Sequence, residues 1–264
     1  MKDGDFTAVR AKRSAALAAH TSASRVAFAP RGREPVLPSE VVVGTLSNCD
    51  VFVDVCTQRD YLASAGAHPC VNAVEVGRNV KRLIAFARWE KVPTLSCVDA
   101  RRPDEVRGLP IGECVLGTLG QAKVPCSLLP RRIVVESDNS LSVPLDLLER
   151  YQQAILVKRH RDPFTNPKLD RLLTEMPAGR FVIFGVPLEV SIRLLVLGLL
   201  LRGRKAAIVT DACGFWSEPD AQMAARQLEA KGCQLQNTDE YIQAAAARNG
   251  RASSLRGRRR RSVA

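Results

Sequence analysis

Residues 180–210 read RFVIFGVPLEVSIRLLVLGLLLRGRKAAIVT. An apolar run from Arg180 to Val186 ends at Pro187. Leu188 to Arg202 is then apolar nearly all round, and a second short apolar run follows, Lys205 to Thr210. A run of about six apolar residues fits a strand buried on both faces, and the longer segment fits a buried helix. Short apolar strands alternating with helices mean a parallel sheet covered on both faces. Antiparallel sheets, with one wet face, would alternate polar and apolar instead.

The same alternation extends in both directions. Upstream, Asp50 to Val55 is a first strand. Val76 to Trp89 has helical spacing, with Val76, Val80, Leu83, Ile84 and Ala87 on one face. Pro93 to Val98 and Ala154 to Val157 are the second and third strands, and Leu169 to Met176 is a helix stopped by Pro177. The quoted stretch supplies the fourth and fifth strands. Downstream, Pro219 to Lys231 is an amphipathic helix stopped by Gly232, and Gln234 to Asn237 is a weak sixth strand. The pattern predicts an α/β fold: a three-layer, doubly wound, Rossmann-like sheet of about six parallel strands.

The chain has 264 residues, 46% of them hydrophobic and 25% charged, which excludes wholesale disorder. Its formal charge of +12 belongs to the ends. Residues 248–264 hold seven arginines and no acid, whereas 41–247 hold 25 basic and 23 acidic groups. Three regions are expected: a mobile basic extension over 1–40, a folded domain over 41–247 and a disordered Arg-rich tail over 248–264. A nucleic-acid contact is open to the tail, and a basic face on the body is not implied. The apolar stretch Leu194 to Leu201 is far short of a membrane span, so no membrane partner is expected. No basic-then-apolar leader pattern is visible, and a cytoplasmic location is expected. The eight cysteines form no CxxC pair and no zinc-spaced cluster, so most should be reduced and buried.

Parallel sheets carry their functional groups beyond the carboxyl ends of the strands. Those ends present Asp54 with Cys56, Gln58 and Asp60; Lys158; Gly185-Val186-Pro187 with Ser191; and Asp211. From the residues alone, Asp54 and Lys158 are either half of a catalytic constellation or a plain ion pair.

Five motifs in order, over roughly Cys49 to Tyr241, resemble the isochorismatase-like cysteine hydrolases, the nicotinamidase branch included. Asp54-Val55-Cys56-Thr57-Gln58-Arg59-Asp60-Tyr61 resembles Asp-x-Asp-Thr-Gln-x-Asp-Phe. Gly112 to Gly120 resembles the His-Cys-x-x-Gly-Thr-x-Gly loop. Val157-Lys158 with Phe164-Thr165-Asn166-Pro167 resembles the lysine segment. Gly185 to Ile192 resembles Gly-Val-Ala-Thr-Asp-Val-Cys-Val, and Thr210-Asp211-Ala212 resembles Ser-Asp-Ala. The resemblance implies a six-stranded parallel sheet, an oligomer, and hydrolysis of a small amide or carbonyl compound. An aspartate takes the proton of a cysteine, a lysine favours the charged forms, and the thiolate attacks. Asp54 matches the base and Lys158 the lysine, with Gln58 and Asp60 bracing the pocket loop.

Three departures follow from the same matching. The cysteine position holds Ser191, whose hydroxyl is far less acidic than a thiol. The family's cis peptide falls at Val186–Pro187, and proline lacks the N–H that would hold an oxyanion. The metal positions are Asp99, Arg101 and Glu113. A divalent metal is not expected there, nor any other cofactor, because the acids can pair with Arg101 and Arg102. Cys56, where the family has an aspartate, is either structural or a surrogate nucleophile.

The expectation is an isochorismatase-like protein with lost or reduced hydrolase activity. The alternatives are an active hydrolase of a small amide or vinyl ether, using Asp54 and Lys158 with Ser191 or water, and a scaffold acting through its basic tail.

Overall fold

The computed structural model describes residues 49–248, apart from 110 and 139. The expected extension over 1–40 and the tail beyond 248 lie outside the described residues. A single parallel sheet of seven strands is flanked by helices. The strands are β1 (Asp50–Val55), β2 (Thr94–Asp99), β3 (Arg132–Val135), β4 (Gln153–Lys158), β5 (Arg180–Gly185), β6 (Ala206–Cys213) and β7 (Gln234–Gln236). Their order is β3-β4-β2-β1-β5-β6-β7. The count of six omitted β3, which carries two arginines' worth of charge around it and lies at the sheet edge, where its residues alternate between exposed and half-buried.

β1 lies at the middle of the order, between β2 and β5. Val51, Phe52, Val53 and Val55 are all buried, and Phe52 meets Phe184 of β5 edge-on, with ring centroids 5.4 Å apart. Helix α1 (Arg59–Leu62) is one turn. Helix α2 (Ala73–Glu90) buries the expected stripe, with Asn79 beside it, and packs on β5 and β6. α3 (Leu147–Arg150) is short. α4 (Pro167–Glu175) begins at Asn166, whose side chain accepts from the Leu169 N–H at 3.0 Å, with proline in its first turn. The helix expected from Leu188 opens as a π-helical turn, Leu188–Ile192, and becomes α-helical as α5 (Arg193–Leu201). α6 (Glu218–Ala230) is capped by Ser217. A last helix, α7, runs over 238–248. Asp211 accepts from the Thr238 N–H and hydroxyl, each at 2.8 Å, so this strand-end acid starts α7 and does not join the site.

From β1 the chain winds toward β2, and from β5 it winds the other way, toward β6. The topological switch therefore falls between the adjacent strands β1 and β5, and the residues just past their carboxyl ends flank it. Gly185 closes that junction. Its φ is 123°, and a Cβ there would stand 1.9 Å from the Val55 carbonyl oxygen.

Candidate active site

Beyond β1, Cys56 takes a left-handed φ of 50°, which turns the chain sharply out of the sheet. Asp54, still in the strand, is fully buried. Its Oδ1 accepts from the Thr57 hydroxyl at 2.8 Å. Its Oδ2 accepts from the Ser96 hydroxyl at 3.1 Å and pairs with Lys123 Nζ at 2.7 Å. Lys123 also donates to Thr57 Oγ1 at 2.6 Å. The lysine of Asp54 is thus Lys123, from the loop before β3. The plain Asp54–Lys158 ion pair left open by the sequence is therefore not the pair that forms. No periodicity marks Lys123, which is a single lysine in a loop.

Lys158, fully buried at the end of β4, donates to Asp99 Oδ1 at 2.5 Å and to the His160 carbonyl at 2.8 Å. The pairing follows from register, because Asp99 and Lys158 lie opposite each other on β2 and β4. Burial opposes the charge on both. Lys158 still holds the Asp99 carboxyl below its ordinary range, and Asp99 holds the Lys158 ammonium above its own. The family-matched neighbour that feels Lys158 is Cys56. Burial, then its hydrogen bond with Cys97, pushes the Cys56 thiol up, and the same hydrogen bond, helped by Lys158, brings the Cys97 thiol down.

Ser191 sits in the π turn after β5. It is fully buried, and its Oγ has no hydrogen-bond partner among the described residues. The bond before it, Val186–Pro187, is cis, as the motif matching expects.

Gln58 and Asp60 act on backbone. The Gln58 amide donates to the Asp99 and Gln121 carbonyls at 2.8 and 2.7 Å, and its oxygen accepts from the Asp99 N–H at 2.7 Å. Asp60 accepts from the N–H groups of Ala67 and Cys114 at 2.9 and 2.6 Å. Both brace the loops around the site.

The three metal-matched positions are joined by cations. Glu113 pairs with Arg101 at 2.9 Å, with Arg161, and with His68 Nδ1 at 2.6 Å. Arg161 also approaches Asp99 Oδ2 at 3.6 Å, donates to the Tyr61 hydroxyl at 3.0 Å and lies 4.8 Å over the Trp216 ring. Trp216 in turn stacks on His68 with centroids 4.1 Å apart. Of the two expected arginines, Arg101 pairs with Glu113 and Arg102 with neither acid; Arg161, which was not expected, takes its place. Lys158, Tyr61 and Arg161 at Asp99, and Arg101, Arg161 and His68 at Glu113, occupy the oxygens that a metal would need, so these residues do not fit a divalent ion. Sequence reasoning missed Arg161, His68 and Trp216 and their contacts with Tyr61, which form only when the segments after β1, β4 and β6 fold together.

The isochorismatase domain matches residues 48–240. The chain belongs to the isochorismatase family. No curated protein matches the sequence significantly. Among solved structures, a zinc-bound pyrazinamidase of Pyrococcus horikoshii is 20% identical with a TM-score of 0.58, covering 71% of this chain and 98% of its own. N-carbamoylsarcosine amidase from Thermoplasma acidophilum is 16% identical with a TM-score of 0.56, covering 72% and 97%. The MAR1 ribonuclease of Caenorhabditis elegans is 20% identical with a TM-score of 0.50, covering 75% and 81%. At these identities the likeness is one of fold. An isochorismatase fold that serves two amidases and a ribonuclease names no substrate by itself.

Proposed function

We propose that this isochorismatase-family protein has lost, or strongly reduced, the family's cysteine-hydrolase activity. What carries the reading is the set of partners at the three matched positions. Asp54 is held by Lys123, Thr57 and Ser96, and Lys158 by Asp99 and the His160 carbonyl, while the Ser191 hydroxyl has no acceptor. A serine without a base to take its proton is a poor nucleophile at neutral pH. Ser191 stands where the resemblance places the cysteine, and Cys56 stands where the family has a further aspartate. Pro187 supplies no N–H to an oxyanion, a loss typically worth about 10²–10³ in rate.

One observation favours a second reading. Cys56 and Cys97 are both buried within the field of Lys158, which favours their thiolates, so a thiol hydrolase with Cys56 as nucleophile has a cation at hand. Burial keeps Cys56 in its thiol form, which places this reading second.

Two of the structural neighbours are amidases, so the test substrate is nicotinamide and the readout ammonia release. Wild type and Ser191→Cys are expected to show none, because the matched base, Asp54, is already held by Lys123, Thr57 and Ser96 and Asp99 by Lys158, so a thiol at 191 still lacks a free carboxylate. A gain is expected only when Cys56→Asp is added to Ser191→Cys. Wild-type turnover that disappears in Ser191→Ala would overturn the proposal in favour of a serine hydrolase. Turnover that survives in Ser191→Ala and disappears in Cys56→Ala would promote the second reading.

A further inference from the structure

Past the carboxyl end of β4 lies a separate cavity of about 390 Å³, within the range of small-molecule sites. Arg102, Arg159 and His160 line it, with Asp138, Thr165 and Asn166. Among the described residues, the side chains of Arg102, Arg159 and His160 make no hydrogen bond or ion pair. The neighbouring Arg101 and Arg161 are both taken up by Glu113. The one acid on the wall, Asp138, is neutralised by Lys168 at 2.7 Å. Asn166 has no spare group, because its amide donates to the Val157 carbonyl at 2.6 Å and its oxygen caps α4. It fixes the wall and sets the positive end of α4 against the cavity.

Two arginines and a histidine line one concavity whose only acid, among the described residues, is already paired, an arrangement that favours an anion. A carboxylate offers two oxygens, enough for one guanidinium fork. A phosphate offers three, enough for two forks and a third donor. The volume exceeds what a bare oxyanion fills. We propose that this cavity binds a phosphate group carried by a nucleotide-sized ligand, with Arg102 and Arg159 clamping it and His160 as third donor. The site lies outside the matched triad but shares a loop with it, since the carbonyl of His160 holds Lys158.

The test is calorimetric titration of the full chain with inorganic phosphate, AMP and a short RNA strand. Three proteins are compared: wild type, Arg102→Ala/Arg159→Ala, and a tail control, Arg258→Ala/Arg260→Ala. AMP is expected to saturate one site more tightly than phosphate. The cavity variant should weaken it at least tenfold, about the effect of one lost charged hydrogen bond. The tail control should leave AMP unchanged. RNA binding tighter than AMP, and still weakened in the cavity variant, would name a strand as the source of the phosphate; AMP binding tighter than RNA would name a free nucleotide. No saturable binding of any probe would overturn the proposal. So would binding indifferent to the cavity variant, or binding lost only in the tail control. Both cavity arginines are exposed, so equal melting temperatures are expected and would show that the variant is folded.

Discussion

Lys158 keeps its charge without water because Asp99 stands 2.5 Å away, and the arrangement makes each partner depend on the other. Removing one side of a buried pair leaves the other uncompensated, so Asp99→Asn should destabilise the protein by about 3–5 kcal/mol in urea unfolding. The pH dependence has a definite sign. The Asp99 carboxyl is held below its ordinary value, so its contribution is whole above the unfolded value of about 4 and is lost as the pH falls through the lower folded value. The Lys158 ammonium is held above its ordinary value, so its contribution is whole below the unfolded value of about 10.4 and is lost as the pH rises through the folded one. The acid limb of the stability curve should be flatter in Asp99→Asn than in wild type; an unchanged limb would show that other carboxylates carry it. Asp99 and Lys158 were each legible from a motif, but their partnership was not. Which acid meets which lysine depends on strand register, and for Asp54 it depends on a loop lysine that no pattern announces.

At the scale of elements, the junction of β1 and β5 is the tightest place in the sheet. Gly185→Ala would need a left-handed backbone and a Cβ inside the van der Waals radius of the Val55 carbonyl. A loss of about 3 kcal/mol or more is expected, read from the urea midpoint. Asn166 ties the start of α4 to the end of β4 through two hydrogen bonds. Asn166→Ala should cost about 2 kcal/mol, and Asn166→Asp, which keeps the cap and loses the bond to Val157, should recover about half. Most elements could be read in advance, because strands buried on both faces and a helix apolar all round leave a strong signal. β3 left a weak one. Arg132-Ile133-Val134-Val135 is four residues long, and an edge strand needs no continuous apolar run. The π turn at Leu188 was invisible as well, since nothing in the composition separates it from the first turn of an α-helix.

For the molecule as a whole, the sheet order sets a gradient of protection. β1 and β5 are flanked by strands on both sides, whereas β3 and β7 are edges of four and three residues. Hydrogen exchange should therefore be slowest in β1 and β5 and fastest in β3 and β7; equal rates across the sheet would mean that the domain opens only as one unit. The cluster around Arg161 bears on how the protein is supplied in a cell. Its negative charges, Asp99 and Glu113, are answered by Lys158, Arg101 and Arg161, cations that are part of the chain and stay protonated at physiological pH. That charge balance is complete when translation ends. It waits on no loading step, draws on no metal pool and offers a chelator nothing to extract. Melting temperatures recorded with EDTA, with added zinc and with neither should coincide, and the protein made by metal-starved cells should be the same as that made by replete ones.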